Sequence, residues 1–308
     1  VKFDATLLVA FGGPEKKVDI LPFLNRVTAG RNIPADRLAA VALHYEALGG
    51  RSPLTEWTRR QAAALAIELR GRGRHLPIAC GMRNWHPFLV DTLRDLYNRG
   101  AREVFAIILS AHDCEVGWQR YVENLKEAQR ELGSNAPRIT LAPNWHARPG
   151  YIRAAAERIR FATRRMNDAE RNTAPLVFTA HSIPIAMAEA SDYVAQLRYS
   201  AAHVASEVGS ENWQIAWQSR SGRPQDPWLE PDIEDKLDEL AATGAKQVIV
   251  SPIGFVCDHV EVLWDLDHQA KQRAEELGIE LIRAGTVADH PEFIAMLANL
   301  QTEAEERE

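Results

Sequence analysis

The sequence predicts an α/β protein whose strands form parallel sheets in two related domains. Three observations carry this expectation. Short β-branched runs alternate with amphipathic helical stretches, the pattern of strands joined by crossover helices. A chain of 308 residues is long for one core and natural for about two domains of ~150 residues. An internal echo also links the halves: Pro87, Asp91, Leu93, Leu96, Gly100, Ala101 and Val104 recur as Pro231, Asp235, Leu237, Leu240, Gly244, Ala245 and Val248, each pair 144 residues apart. One unit is thus used twice. Proline opens a helix at its first turn, leucines face a sheet, and Gly-Ala ends the helix before the next strand.

Taken in order, strands are expected at 6–10, 78–81, 104–109, 139–142, 176–180, 213–217, 248–251 and 280–283. Helices are expected between them at 54–70, 87–99, 121–132, 150–166, 188–208, 231–242 and 259–277. The domains should span 1–144 and 145–288, and a helix within 289–308 should pack back on the first domain. Ligands of parallel sheets bind beyond the carboxyl ends of strands. The loops at 11–14, 83–87, 110–117, 181–184, 218–228 and 252–258 are therefore the places to seek chemistry.

Composition narrows the class. Apolar residues at 46% and charged residues at 25% are the balance of an ordinary globular protein. A formal net charge of -6, with basic residues scattered, argues against a nucleic-acid partner. No apolar run approaches the ~18 residues of a membrane span. The N-terminus lacks a charged region followed by an apolar core, so a cytoplasmic location is expected. Cys80, Cys114 and Cys257 are far apart and show no C-x-x-C spacing, which points to neither a zinc site nor a disulfide framework. Neither G-x-G-x-x-G nor G-x-x-x-x-G-K-[ST] follows any strand, and G-x-S-x-G is absent. Nucleotide-binding and α/β-hydrolase readings lose their main support.

Four segments carry chemistry. In Phe178-Thr179-Ala180-His181-Ser182-Ile183-Pro184 an apolar strand delivers a histidine at its carboxyl end. An imidazole there takes a proton or binds a metal near neutral pH, although a lone loop histidine is more often only hydrogen-bonded. In the segment from Ser251 to Asp265, Asp258 and Glu261 fit a capping box at a helix start. Asp258, Glu261, Asp265 and His268, spaced by three, four and three residues, should line one helix face. Such an acidic stripe suits a hard divalent cation, and capping alone explains it equally well. In the segment from Tyr45 to Leu54, Gly49-Gly50 permits a tight turn, and Ser52-Pro53 reads as N-cap and first helical residue. A helix start of that kind also suits a bound carboxylate. The fourth segment runs from Trp217 to Pro231, where Trp228 is either an apolar wall for a flat ligand or a core anchor.

Together these segments, with Leu7-Leu8-Val9-Ala10-Phe11-Gly12-Gly13-Pro14, resemble the ferrochelatase family over nearly the whole chain. Ala-His-Ser-Ile-Pro and Gly-Phe-Val-Cys-Asp-His-Val-Glu at this separation are jointly specific, and the wider phrasing looks closest to the bacterial coproporphyrin-type enzymes. The resemblance implies two Rossmann-like domains of the chelatase type with a porphyrin cleft between them. It implies insertion of ferrous iron into a porphyrin, coproporphyrin III favoured over protoporphyrin IX, with release of two protons. It makes His181 and Glu261 metal ligands and proton acceptors, acting from opposite faces of the macrocycle. Phe11, Tyr45, Ser52 and Tyr121 are implied as porphyrin contacts, with Arg31, Arg37 and His44 behind them, and Asp265 belongs to the acidic path for metal or protons. Iron is a substrate, no resident cofactor is needed, and no iron–sulfur cluster is expected. A monomer that passes haem to a transient acceptor protein completes the picture.

Two departures from the family pattern stand out. Phe11 occupies a position where many bacterial members carry an iron-ligating tyrosine, and it cannot ligate. Thr28 stands where some members have an arginine. Rival readings are a cobalt chelatase acting on an early tetrapyrrole, and a non-catalytic haem or porphyrin carrier.

Overall fold

A computed structural model describes residues 2–30, 35–221 and 225–307. All eight expected strands form. β1 (Ala5–Ala10), β2 (Ile78–Met82), β3 (Glu103–Ile108) and β4 (Arg138–Leu141) make one sheet in the order β2-β1-β3-β4. β5 (Leu176–His181), β6 (Trp213–Gln218), β7 (Gln247–Ser251) and β8 (Glu280–Arg283) make the other in the order β6-β5-β7-β8. Every pairing is parallel. β1 and β5 sit centrally and are buried along their lengths, as strands covered on both faces must be.

The chain divides into two compact units, 1–109 with 119–143 and 297–308, and 110–118 with 144–296. The expected break at 144/145 leaves out two features of this division. Segment 110–118 belongs with the second unit, and the last helix, Pro291–Arg307, is shared, its residues from Leu297 onward joining the first. In that first unit the buried Thr6 hydroxyl on β1 donates to the Gln301 side-chain oxygen at 2.5 Å. A hydroxyl buried in a central strand needs such a partner.

The echo seen in the sequence is an echo in hydrogen bonding. Helices Leu89–Asn98 and Ile233–Ala242 each end in a glycine at positive φ, +97° at Gly100 and +88° at Gly244. Gly100 and Ala101 N–H donate to the Tyr97 and Leu96 carbonyls, and Gly244 and Ala245 to those of Ala241 and Leu240. This is the Schellman arrangement, which satisfies carbonyls orphaned at a helix end. Pro87 and Pro231, in contrast, precede the helices rather than opening them. Their carbonyls accept from Met82 and Trp217 N–H at 2.7 and 2.9 Å and so continue the sheet bonding.

Other helices depart from expectation. The run at 188–208 breaks into Ile185–Glu189 and Tyr193–Val208. The run at 259–277 is Val260–Trp264, a π-helical turn Asp265–Ala270, and Lys271–Glu276. Helices Ile20–Val27, Ala35–Ala47 and Asp168–Thr173 and the π-turn Glu115–Gln119 were not foreseen.

His112, in the loop after β3, is buried with Nε2 at 3.1 Å from the Ser200 hydroxyl. Burial, with His146 nearby adding to it, lowers its pKa to about 3. A depressed imidazole contributes stability above the unfolded pKa near 6.5 that is lost as pH falls toward 3. His112→Gln keeps a polar partner for Ser200 but takes up no proton. Between pH 6 and 4 the variant should bind about one proton fewer on unfolding than the parent, read as a shallower fall of urea-unfolding stability with pH. Parallel curves would show that His112 is not the group that charges.

Candidate functional site

β5 runs apolar and buried to Ala180 and then presents His181 at its carboxyl end, 31% exposed at the side chain. The loop beyond is pinned. Ser182 N–H donates to the Gln218 carbonyl at 2.8 Å, the Ser182 hydroxyl to the Leu229 carbonyl at 2.8 Å, and the buried Tyr193 hydroxyl to the His181 carbonyl at 2.9 Å. The His181 Nδ1 lies at 2.5 Å from the Ser182 carbonyl oxygen. A carbonyl only accepts, so Nδ1 carries a proton, and the lone pair of the neutral ring is on Nε2.

Glu261 reaches the same place from the loop after β7. Gly254 lies so close to β5 that an added Cβ would stand 2.4 Å from the Cβ of Ala180, and its N–H donates to the Thr179 carbonyl at 3.0 Å. Only glycine fits there. The helix Val260–Trp264 is capped by His259, whose Nδ1 accepts from Glu261 N–H at 3.2 Å. Burial holds the pKa of His259 below its ordinary value, which keeps the ring neutral and able to accept. The expected capping box between Asp258 and Glu261 is therefore absent: Asp258 is held instead by the Arg283 guanidinium at 3.1 and 3.2 Å. Glu261, 50% exposed, sits between two imidazoles, with Oε1 at 3.9 Å from His181 Nε2 and Oε2 at 3.9 Å from His259 Nδ1.

That spacing corrects the expectation that His181 and Glu261 act from opposite faces of a macrocycle. A ring between them needs two van der Waals contacts, about 7 Å in all. The two side chains form one adjoining pair.

Asp265 follows one turn on, at the start of the π-turn. The Ser219 hydroxyl donates to its Oδ2, as does the Gln218 amide at 3.3 Å. Burial, with Glu261 adding repulsion, outweighs those bonds and raises the carboxyl to about 7. The stripe from Asp258 to His268 does not form as drawn. Asp258 is turned to Arg283, and the π-turn breaks the 3.6-residue repeat before His268, which packs on the Trp264 ring at 4.4 Å. Among the described residues no three His, Cys, Asp or Glu side chains are grouped to hold a metal ion. The three cysteines form no disulfide, and burial raises their thiols, those of Cys80 and Cys114 to about 11 and that of Cys257 further still. They are neutral thiols at pH 7.

The remaining candidates lie in the first unit. Phe11 and Tyr45 border one apolar cluster around Phe23, whose ring lies 6.2 and 6.1 Å from theirs. Gly49 and Gly50 both take positive φ, as the tight turn requires. Ser52 is buried against Gly13, and its hydroxyl accepts from Leu54 N–H at 3.4 Å. Tyr121 is buried under the Arg83 guanidinium, 5.5 Å from its ring centre. His44 and Arg37 lie half-buried on the helix Ala35–Ala47, and Arg31 falls outside the described residues. In the second unit Trp228 is a buried anchor, bridged to Pro184. Sequence reasoning missed the capping role of His259, the Gln218–Ser219 pair and Arg283. Gln218 and Ser219 stood in a loop already marked by its position after a strand; Arg283 carried no motif.

A ferrochelatase family model matches residues 4–305. The chain belongs to the ferrochelatase family. It is 41% identical over 302 residues to a ferrochelatase of Rhodopirellula baltica, covering 98% of this chain and 86% of the relative. It is 40% identical to the coproporphyrin III ferrochelatase of Mycolicibacterium smegmatis, covering 97% and 89%. SirB from Bacillus subtilis with Fe3+ shares the fold at a TM-score of 0.62 and 10% identity, covering 99% of this chain and 98% of that one. A sirohydrochlorin chelatase SirB from Bacillus subtilis subspecies spizizenii in complex with cobalt does so at 0.58 and 11%, covering 99% and 97%. The fold is thus that of the chelatases, with two parallel four-stranded sheets in this family member.

The raised carboxyl of Asp265 gives this family member a pH signature. Its folded pKa exceeds the unfolded value near 3.8, so its contribution is greatest below about pH 4 and is lost as pH rises through about 7. Asp265→Asn should melt much as the parent does near pH 4 and progressively higher than the parent as the pH is raised to 8. Equal melting shifts at both pH values would show that burial does not govern this carboxyl.

Proposed function

We propose that the chain inserts ferrous iron into coproporphyrin III, with His181 and Glu261 as the reacting pair and Asp265 as the next proton station. The observation that carries this reading is the 3.9 Å approach of His181 Nε2 to Glu261 Oε1, in a chain that matches the family from end to end of both sheets. A free porphyrin must lose two pyrrole N–H protons as Fe(II) enters; the products are the metalloporphyrin and two protons. The lone pair on Nε2 takes one proton, and the carboxylate beside it stabilises the imidazolium that forms. Proton transfer to Glu261 and on to Asp265 frees the imidazole for the second. A carboxyl that titrates near 7 both accepts and gives up a proton at neutral pH. The same two groups would hold the incoming ion first, Nε2 releasing it to the ring before accepting a proton, and iron is substrate throughout, with no resident cofactor needed.

Phe11, Tyr45, Ser52, Tyr121, Arg31 and His44 are proposed as porphyrin contacts on the strength of the family resemblance. Phe11 offers packing and no metal ligand. Four propionates rather than two follow from the coproporphyrin III activity named for several relatives, among them that of Nocardia farcinica at 41% identity. The reading places the enzyme in the cytoplasm as a monomer with a transient haem acceptor. Among the described residues no helix is long and apolar enough to cross a membrane.

His181→Ala should lower iron insertion by about 100-fold or more, with porphyrin binding retained in a fluorescence titration. Glu261→Gln should do likewise with helix content unchanged, because His259 caps the helix and the Glu261 side chain does not. Full turnover in either variant removes its assignment; binding without metallation in the parent would make the chain a carrier. In steady-state competition kcat/KM should favour coproporphyrin III over protoporphyrin IX by about tenfold or more, a difference of roughly 1.4 kcal/mol in transition-state binding. Equal values would reassign the substrate.

A further inference from the structure

Arg283 closes β8 at the point where its backbone is registered with Val250 of β7, the strand that leads into the Glu261 loop. Its guanidinium is 16% exposed and fully engaged. Nη1 and Nη2 grip the Asp258 carboxylate at 3.1 and 3.2 Å, while Nε and Nη2 grip Asp267 at 2.5 and 2.9 Å. Nη1 also donates to the Ala284 carbonyl at 3.3 Å. The two carboxylates bracket the reacting segment. Asp258 comes just before the capping His259, and Asp267 lies inside the π-turn that begins at Asp265. One planar cation thus ties both ends of the stretch that presents Glu261 and Asp265 to a fixed point on the sheet edge. A π-turn is rare, occurs mostly as a single turn inside an α-helix and frequently marks a functional site.

We infer that Arg283 is a positioning residue for iron insertion: by clamping Asp258 and Asp267 it holds the π-turn, and with it the placement of Glu261 against His181. It touches neither porphyrin nor metal. Lysine cannot replace it, because a point ammonium offers no planar array of donors to two carboxylates at once. The inference rests on the reading of Glu261 as a reacting group.

The test compares Arg283→Lys, Asp258→Asn and the double variant by steady-state insertion into coproporphyrin III, alongside thermal melting. Misplacing a reacting group by about 1 Å costs up to roughly 100-fold in rate, so kcat should fall about ten- to hundredfold in each single variant. KM for the porphyrin should stay within about twofold. The double variant should be no slower than the worse single one, since both changes break one clamp. A purely structural role would lower the melting temperature and leave kcat unchanged, and that result overturns the inference. So does a rise in KM at constant kcat, or full additivity in the double variant. Should Arg283→Lys fail to fold, Asp258→Asn, which leaves the grip on Asp267 intact, decides by the same criteria. Glu261→Gln separates the two levels. Activity retained there removes the reading beneath the inference, whereas activity lost there but kept in Arg283→Lys removes the inference alone.

Discussion

The approach of Gly254 to Ala180 sets the geometry on which the rest of the site depends. An extra methyl at residue 254 would lie within 2.4 Å of the Ala180 Cβ, well inside van der Waals contact. The loop after β7 therefore lies directly on β5, one residue before His181. From that contact the chain needs only to turn into a helix to bring a carboxylate beside the imidazole. Tyr151 reinforces the placement by donating its buried hydroxyl to the Ile253 carbonyl. A glycine in a strand-end motif is here a statement about distance, with its backbone freedom incidental.

The electrostatics of the pair follow from its neighbours. His181 is fixed in one tautomer by a backbone carbonyl, and His259 is kept neutral by burial while it caps the helix. Glu261 accordingly faces two imidazole nitrogens and, among the described residues, is paired with no lysine or arginine. A lysine or arginine in that position would offset the carboxylate's charge; the neutral ring of His259 leaves it in place. Arg283, the strong local cation, is spent on Asp258 and Asp267.

Most of the architecture was legible because buried parallel strands write themselves as short β-branched runs, and all eight were found where those runs lie. The repeat was legible because a helix ending in Gly-Ala imposes the same hydrogen bonds wherever it occurs. The helix after His259 was harder. Apolar periodicity cannot signal a π-turn, whose extra residue shifts the phase without changing composition. Asp258 had the chemistry of an N-cap, and what displaced it was an arginine 25 residues away in sequence, a tertiary partner that no local pattern encodes. His181 and Glu261 could be named from their motifs, yet their close approach was not readable, since strand-end position fixes where a residue emerges and not how near its neighbour comes.

The bond from Thr6 to Gln301 has a consequence for how the protein is made. The central strand of the first unit appears in the first ten residues of the chain, yet its buried hydroxyl finds its partner 295 residues later. A ribosome adding about 5 to 20 residues per second needs tens of seconds to bridge that gap. Within that interval all four strands of the second sheet are made. In chain order, then, the unit that holds the earliest strand also holds the second half of the last helix.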